Sequence, residues 1–343
     1  MTQSDRLTLA FVGCGGIARA HWRGIQHYAP RIDVTAVVDT DPANLASMAE
    51  RTGAAAFTSL TEALAEGDFD AVDIMLPHDL HEQAAVESFA AGKHVCLEKP
   101  MAHNLASCER ILAAAEAAAE QSGTVFMIAE QAQYWTDVQK ARELIDAGAI
   151  GDVITARACF YDPLTVPPGV IPWRYELARA GGGISIDGGA HWIRPMRMML
   201  GEVDEVIAAT ARHVADMEGE SSAHALFRFE SGVIGTFDAL QSTGAVGPVE
   251  DFRITGTNGE LVMERGRNGR LMLYNGEHPD GLAVMSAFEG KAASYGVELH
   301  DFSCAVLDGK ELEASPAFSL GELRTALAMY RSVESGRWEK VWD

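Results

Sequence analysis

The sequence GGGISIDGGAHWIRP (residues 181–195) places two side chains that can do acid–base chemistry, Asp187 and His191, four residues apart. At that spacing on a helix the two side chains share one face. They could then form a catalytic pair, contribute two ligands to a metal ion, or make only a buried hydrogen bond. A metal site would need at least a third ligand, and none with suitable spacing is apparent, so we predict no metal.

Other residues of this stretch predict its local geometry. Pro195 lacks the N–H that would bond the carbonyl of His191, so the helix should loosen or kink there. Gly188 and Gly189 have no side chains, and we expect them to leave room for a ligand above the face that carries Asp187 and His191.

A glycine-rich turn near the N-terminus has the pattern of a phosphate-binding loop. In FVGCGGIARAH, Gly13, Gly15 and Ala18 form G-x-G-x-x-A directly after a predicted strand; the pattern gives a tight turn, close approach to a pyrophosphate and close helix packing. Asp39 ends the next strand, where its carboxylate can bind an adenosine ribose and repel a 2′-phosphate. We predict NAD rather than NADP as cofactor, bound by Gly13, Gly15, Gly16, Ile17, Ala18 and Asp39.

Three residues with a possible role in catalysis lie at the end of the predicted strand KHVCLE. Glu98, Lys99 and Pro100 stand at its carboxyl end, where open α/β sheets bind ligands. A lysine before a proline is usually a solvated loop charge, but the neighbouring dinucleotide pattern makes Lys99 a candidate for catalysis.

Two segments with different sequence patterns must position these residues. Over residues 1–125, short apolar runs alternate with helical patterns; the runs are LTLAFVG, DVTAVVD, AVDIMLP, KHVCLE and TVFMIA. This alternation predicts a parallel, doubly wound α/β sheet buried on both faces. Over residues 126–343, strand-like runs with turns such as Asn258-Gly259 predict a large, mostly antiparallel open sheet. The last helix, in LGELRTALAMYRSVESG, is expected to belong to this second domain or to pack back on the first.

Composition excludes several classes of protein. The 343 residues carry a net charge of −22, which argues against a nucleic-acid partner. No apolar run approaches the length of a membrane span, and no signal peptide is visible. Five cysteines without ligand or disulfide spacing fit a reducing cytoplasm.

The motifs together resemble the glucose–fructose oxidoreductase/inositol dehydrogenase family, called Gfo/Idh/MocA. The resemblance covers essentially the whole chain and includes VGCGGIARAH, LPHDLHEQAAVESFAAGKHVCLEKP, ELIDAGAIGDV, GGGISIDGGAH and VESGRW. It implies a Rossmann domain, then an α/β domain whose open sheet often builds dimers or tetramers. It also implies hydride transfer between a nicotinamide and a secondary alcohol of a sugar or cyclitol.

The resemblance further assigns site residues. Lys99, Asp187 and His191 match the family's catalytic motifs, while Pro77, His81, Glu98 and Lys99 match positions at the cofactor. An imidazole accepts protons at neutral pH, so we expect His191 to be the general base. Lys99 would stabilise the developing alkoxide and Asp187 would orient the substrate.

The sequence departs from the family pattern at two positions. Members commonly have an acidic residue three positions after the catalytic histidine, where this chain has Arg194, and Gln133 replaces a common arginine. Arg194 could bind an acidic sugar through its guanidinium or pair with an acid of a neighbouring domain in this acidic protein. The loop VPPGVIPWRYELARAGGG is expected to face the substrate, with Trp173 as an apolar wall and Arg174 as a contact.

Three functions are compatible with these motifs. The first is an NAD-dependent dehydrogenase of a sugar, sugar acid or cyclitol. The second is a glycoside-cleaving enzyme that oxidises its sugar transiently, eliminates, and then reduces it without net redox change. The third is a non-catalytic NAD-binding regulator, which an intact set of Lys99, Asp187 and His191 argues against.

Overall fold

The computed structural model describes residues 5–163, 166, 170–242, 244, 247, 249–265, 269–287 and 291–342. The chain divides into two compact units. Unit 1 comprises Met1–Gln131 and Gly290–Leu320, and unit 2 comprises Ala132–Glu289 and Gly321–Asp343. None of the helices in the described part is long and apolar enough to cross a membrane.

Strands and helices alternate in the first part of the chain, and strands dominate the second. The strands are β1 (Leu7–Val12), β2 (Ile32–Val38), β3 (Ala55–Phe57), β4 (Ala71–Ile74), β5 (His94–Glu98), β6 (Phe126–Ala129), β7 (Val153–Pro163), β8 (Val203–Ala211), β9 (Ser222–Phe229), β10 (Ile234–Ser242), β11 (Phe252–Gly256), β12 (Gly259–Glu264), β13 (Arg270–Asn275), β14 (Leu282–Met285) and β15 (Glu339–Lys340). The helices are α1 (Gly16–Tyr28), α2 (Pro42–Thr52), α3 (Leu60–Glu66), α4 (His81–Ala90), α5 (Leu105–Ser122), α6 (Thr136–Asp146), α7 (Leu177–Ala180), α8 (Ala190–Leu200), α9 (Lys291–Asp308) and α10 (Gly321–Ser335).

Unit 1 contains the predicted parallel sheet, in the order β3-β2-β1-β4-β5-β6, with every pair parallel. The order reverses between β1 and β4, so their carboxyl ends form the switch point at which open α/β sheets bind ligands. β4 is buried along its whole length, in keeping with its continuous apolar sequence. The predicted doubly wound α/β fold is confirmed. The edge strand β3 was missed, because three residues are too short to show a pattern.

Unit 2 contains a nine-stranded sheet, in the order β14-β13-β12-β11-β7-β10-β9-β8-β15. Only the β7–β10 pair is parallel among its described pairs, so the predicted mostly antiparallel sheet is confirmed. β11 and β12 form the hairpin expected at Asn258-Gly259, with Thr255 paired to Glu260. α6, α8 and α10 contribute to the apolar core beneath this sheet.

A helix that the sequence analysis did not identify completes unit 1. α9 packs against α1 where two glycines meet: a Cβ on Gly296 would lie 2.5 Å from the carbonyl oxygen of Gly24. Leu299 and Phe302 of α9 are fully buried in the apolar core of this unit. The segment that returns to the N-terminal unit is therefore α9, whereas the last helix, α10, belongs to unit 2.

Candidate active site

The glycine turn between β1 and α1 has room for a ligand above its backbone. Gly13 has a φ of +96°, which favours glycine, and a Cβ there would lie 2.5 Å from the carbonyl oxygen of Met75. Gly15 precedes α1, and no atom of the described residues lies within 4 Å of the place its Cβ would take. Ala18 is fully buried, which lets α1 lie close to the sheet. The turn fits a pyrophosphate held against backbone N–H groups.

Asp39 faces this turn from the end of β2. Its Oδ2 accepts a hydrogen bond from the backbone N–H of Cys14 at 2.7 Å, and its Oδ1 accepts one from that of Asp41 at 2.8 Å. An ionised carboxylate has about four acceptor positions, so capacity remains for a ribose hydroxyl. Burial and the nearby charge of Asp39 raise the pKa of the Cys14 thiol to about 12, so this thiol stays protonated and unreactive.

His81 connects the loop that carries Pro77 to the turn that carries Lys99. Its Nε2 lies 2.8 Å from the carbonyl oxygen of Leu76 and its Nδ1 lies 3.0 Å from that of Pro100. The side chain is fully buried, and burial lowers its pKa against the opposing effect of these hydrogen bonds. Each ring nitrogen therefore faces a backbone carbonyl oxygen, and because a neutral imidazole donates from only one nitrogen, the ring donates a hydrogen bond to one of the two loops and contacts the other.

The Lys99 turn is anchored through Glu98. The Oε2 of Glu98 accepts the backbone N–H of Lys99 at 3.0 Å, and its Oε1 lies 3.1 Å from Nε2 of His21. Lys99 is half-buried and Glu98 is buried. The peptide bond between Lys99 and Pro100 is cis.

The glycine-rich stretch of unit 2 differs from the predicted helix. α8 begins at Ala190, with His191 as its second residue, and Asp187 lies in the turns before it. The prediction that both side chains stand on one helix was wrong, because the turns are held by bonds such as that from the N–H of Gly189 to the carbonyl of Ile184, at 2.7 Å. α8 continues through Pro195 to Leu200, so the proline does not end the helix.

The glycines of this stretch contact protein atoms. A Cβ on Gly188 would lie 2.2 Å from the ring of Phe160, and one on Gly189 would lie 2.9 Å from the ring of Phe237. The expectation that these two glycines leave room for a ligand was therefore wrong. They allow the turns to pack against the sheet and so fix the start of α8.

Asp187 forms an ion pair with one of the predicted substrate contacts. Nε of Arg174 lies 3.2 Å from Oδ2 of Asp187, and the guanidinium also stacks over the Trp173 ring at 4.5 Å from its centroid. Both partners of the ion pair are partly exposed, so the pair contributes little stability. Pro167–Gly169 of the predicted substrate-side loop lie outside the described residues.

Arg194 and Gln133 belong to one buried network. Arg194 is 1% exposed and donates to both carboxylate oxygens of Glu322, at 2.7 and 3.0 Å, and to Oε1 of Gln133 at 3.0 Å. Arg197, one turn further along α8, pairs with Glu322 and with Glu202. These contacts favour the interpretation that Arg194 pairs with an acid of the protein, but the acid, Glu322, belongs to the same unit as Arg194 and not to a neighbouring domain.

The predicted catalytic residues are divided between the two units. Lys99 belongs to unit 1 with the glycine turn, while Asp187 and His191 belong to unit 2. His191 is half-buried, with its ring centroid 6.4 Å from that of Trp135. Within the described ranges, no group of three histidine, cysteine or acidic side chains is placed to hold a metal ion.

Sequence reasoning missed three residues that hold the site together. Glu220 accepts hydrogen bonds from the N–H groups of Gly183 and Ser185, both at 2.9 Å, and His21 and Glu322 anchor the Lys99 turn and α8. His21 is the last residue of the sequence FVGCGGIARAH, so a role near the cofactor turn could have been suspected from the sequence. The two glutamates carry no local signal, because their partners are more than 30 residues away.

Both units are similar to domains of one family. Residues 7–127 match the profile described as the oxidoreductase family, NAD-binding Rossmann fold, and residues 138–262 match the GFO/IDH/MocA C-terminal domain. A 1,5-anhydro-D-fructose reductase from Ensifer adhaerens is 29% identical over 295 residues, 83% of each chain. A levoglucosan dehydrogenase from Pseudarthrobacter phenanthrenivorans is 25% identical, covering 99% of this chain and 98% of that protein.

Solved structures agree with the fold. An oxidoreductase from Agrobacterium radiobacter, solved with NAD+, L-tartaric acid and magnesium, superimposes with a TM-score of 0.87 and covers 98% of each chain at 22% identity. At this identity the likeness concerns the arrangement of strands and helices.

Proposed function

Since the chain belongs to the Gfo/Idh/MocA oxidoreductase family, we propose that it is an NAD-dependent dehydrogenase acting on a secondary hydroxyl of a sugar, sugar acid or cyclitol. The observation that carries this proposal is the open turn at Gly15 faced by the carboxylate of Asp39. The similarity to a reductase of anhydrofructose and a dehydrogenase of levoglucosan supports a carbohydrate substrate.

The proposed cofactor site lies in unit 1. Gly13, Gly15, Gly16, Ile17 and Ala18 would hold the pyrophosphate and Asp39 the adenosine ribose, while Pro77, Glu98 and Lys99 would flank the nicotinamide. NAD, when bound, supplies the acceptor for the hydride. NADP is disfavoured because no basic residue lies between Val34 and Asn44 to neutralise a 2′-phosphate.

The proposed proton chemistry uses three side chains. His191 accepts the proton of the substrate hydroxyl as general base. Lys99 donates a hydrogen bond to the same oxygen and stabilises its negative charge. Asp187 orients the substrate. Its solvent-accessible ion pair with Arg174 keeps the carboxylate in place. Because such a pair is weak, substrate hydroxyls can replace Arg174 as the partner of Asp187.

The proposal extends to the assembly of the protein. We infer a homodimer or homotetramer formed through the outer face of the unit 2 sheet, where Leu226 and Ile234 are about two-fifths exposed on neighbouring strands. Sedimentation velocity measures the oligomeric state directly.

All five cysteines are thiols rather than disulfides, which supports a reducing compartment such as the cytoplasm.

The experiment that tests the function is a substrate panel. Neutral polyols, aldoses, uronates and glycosides are incubated with NAD, the formation of NADH is followed by its near-ultraviolet absorbance, and released aglycone is quantified in the same samples. A dehydrogenase forms NADH in proportion to oxidised sugar. Aglycone release without net NADH would instead identify the glycoside-cleaving reaction, and NAD binding without turnover would identify a regulator.

A further inference from the structure

A fully buried histidine of α1 lies between two carboxylates of the parallel sheet. Nδ1 of His21 is 2.7 Å from Oδ2 of Asp73 on β4, and its Nε2 is 3.1 Å from Oε1 of Glu98 on β5. Ionised carboxylates only accept hydrogen bonds, and an imidazole donates from both nitrogens only when it is protonated. The geometry is that of an imidazolium bridging two anions.

The same contacts connect α1 to the Lys99 turn. One oxygen of Glu98 faces His21, and the other accepts the backbone N–H of Lys99 at 3.0 Å. α1 is the helix whose N-terminus begins at the proposed pyrophosphate turn. A short chain of hydrogen bonds therefore links the helix of the cofactor site to the lysine proposed to act on the substrate.

Other ionisable groups surround His21 within unit 1. Buried Glu298 of α9 interacts with His21, Asp73 and Glu98, and buried Glu130 after β6 interacts with Glu298. Cys96 of β5 interacts with Asp73 and Glu98, and the ring of Tyr295 of α9 lies beside that of His21. Burial, with the neighbouring carboxyls adding to it, raises the pKa of Glu298 well above its ordinary value. Buried anions at this density require a cation or protons.

Charge therefore favours the protonated histidine. Burial opposes the charge of His21, but the attraction and hydrogen bonds of Asp73 and Glu98 raise its pKa well above the ordinary value. The raised pKa of Glu298 favours its neutral form, so this carboxyl competes less for the imidazolium.

We propose, on the basis of the function proposed for Lys99, that His21 is a positioning residue: as an imidazolium it holds Glu98, and Glu98 holds the backbone of Lys99. The residue acts through Glu98 and does not touch the substrate. Its loss frees one end of Glu98, so the N–H of Lys99 keeps a fixed partner only in the carbonyl of Ala129 and the Lys99 turn shifts. The pyrophosphate turn at the N-terminus of α1 keeps its own bond from the N–H of Gly13 to the carbonyl of Val38.

The kinetic test compares His21→Gln with a matched control. His21→Gln should lower kcat by about 10- to 100-fold, the cost expected for a small misplacement of a reacting group, with little change in the Kd for NAD. His94→Gln serves as the control, because His94 lies at the opposite end of β5, where its Nδ1 accepts the N–H of Val125 at 2.9 Å. Wild-type kcat in His21→Gln would overturn the proposal.

A double variant separates this proposal from the function on which it rests. If His21 acts through Lys99, adding His21→Gln to Lys99→Ala should not lower the residual turnover further. An equal fold-loss in both backgrounds would show that His21 acts elsewhere. Full turnover of Lys99→Ala alone would instead overturn the role of Lys99, whatever His21 does.

A measurement on the wild-type protein needs no folded variant of His21. With ¹⁵N-labelled histidine, the ring nitrogens of one buried histidine should both carry protons above the pH at which an ordinary imidazole loses its charge. The signal is identified by its absence in His21→Gln or, if that variant does not fold, by its proximity to the ring of Tyr295, whose centroid lies 5.1 Å from that of His21. Absence of any such histidine would contradict the buried imidazolium.

Discussion

Lys99 is the residue on which the proposed chemistry of unit 1 depends. Its backbone N–H is held 3.0 Å from Glu98 and 3.3 Å from the carbonyl oxygen of Ala129, so its side chain projects from a fixed turn. Lys99→Ala should lower kcat by ~10²–10⁴-fold, as expected for a positioned acid–base or electrostatic group, with little change in NAD affinity. Steady-state kinetics and NAD titration measure both. Lys140→Ala, an exposed lysine paired with Glu143, should be neutral, and retained turnover of Lys99→Ala would return Lys99 to an ordinary loop charge.

Asp39 determines the expected cofactor preference. Its carboxylate holds the backbone of Cys14 and Asp41 and, in the proposed cofactor site, would face the position at which NADP carries its phosphate. The double variant Asp39→Ala, Thr40→Arg should shift the ratio of kcat/KM values toward NADP, because it removes a negative charge and adds a positive one. Asp39→Asn, which removes the charge but keeps one acceptor oxygen, controls for loosening of the turn. Equal kcat/KM for NAD and NADP in the wild type would contradict this assignment.

The two departures from the family pattern contact each other. Arg194 stands where relatives commonly have an acid and Gln133 where they commonly have an arginine, and the two side chains are hydrogen-bonded at 3.0 Å. The positive charge of Arg194 is neutralised by Glu322. Two substitutions that are hard to interpret separately therefore form one buried unit.

Arg194→Ala should destabilise the protein and weaken turnover of every substrate alike. Removing one partner of a buried ion pair typically costs about 3 kcal/mol, and Glu322 would lose the two hydrogen bonds that Arg194 donates to it. Urea unfolding measures the loss of stability. The kcat/KM values for neutral sugars and for uronates show whether the loss of turnover depends on the charge of the substrate. Arg174→Ala, with a partly exposed ion pair, is the control for stability. A loss confined to uronates, shrinking as salt rises, would restore the anion-binding interpretation.

At the scale of elements, the glycine-rich turns before α8 are shaped by the atoms around them. A Cβ on Gly183 would lie 2.0 Å from the backbone carbonyl oxygen of Glu220, an atom that cannot move aside. Gly183→Ala should lower the free energy of unfolding by about 1–3 kcal/mol, as overpacking does, and should reduce kcat because Asp187 shifts. Urea unfolding and kinetics test this against Gly276→Ala, where no described atom lies within 4 Å of the new Cβ. Equal stability of the two variants would show that the turns are not tightly packed.

The sequence predicted elements whose cause is local and missed those whose cause is distant. The fingerprint turn and helix ends such as Gly53, in the left-handed conformation after α2, could be read because glycine and apolar periodicity determine them. The turns at Asp187 could not, because Glu220 and Phe160 hold them from far along the chain. α9 was missed for the same reason: its recognition of α1 depends on Gly24, which is distant in sequence.

At the scale of the whole molecule, the order of the chain does not follow the order of the units. The chain builds the parallel sheet, then most of unit 2, then returns with residues 290–320 before ending in unit 2. α9 brings to unit 1 the core residues Leu299 and Phe302 and the buried Glu298. Unit 1 therefore depends on a segment encoded after most of unit 2, which a division of the sequence at one boundary cannot represent.

The central claim is that the protein transfers a hydride from substrate carbon to the nicotinamide as net chemistry. The most direct measurement uses the best substrate of the panel, deuterated at its carbinol carbons, with NAD, and determines the deuterium content of the NADH by mass spectrometry. The expected result is NADH that carries one deuterium, in an amount equal to the ketone formed. Unlabelled NADH, or product in which the deuterium returns to the sugar without accumulation of NADH, would contradict the claim.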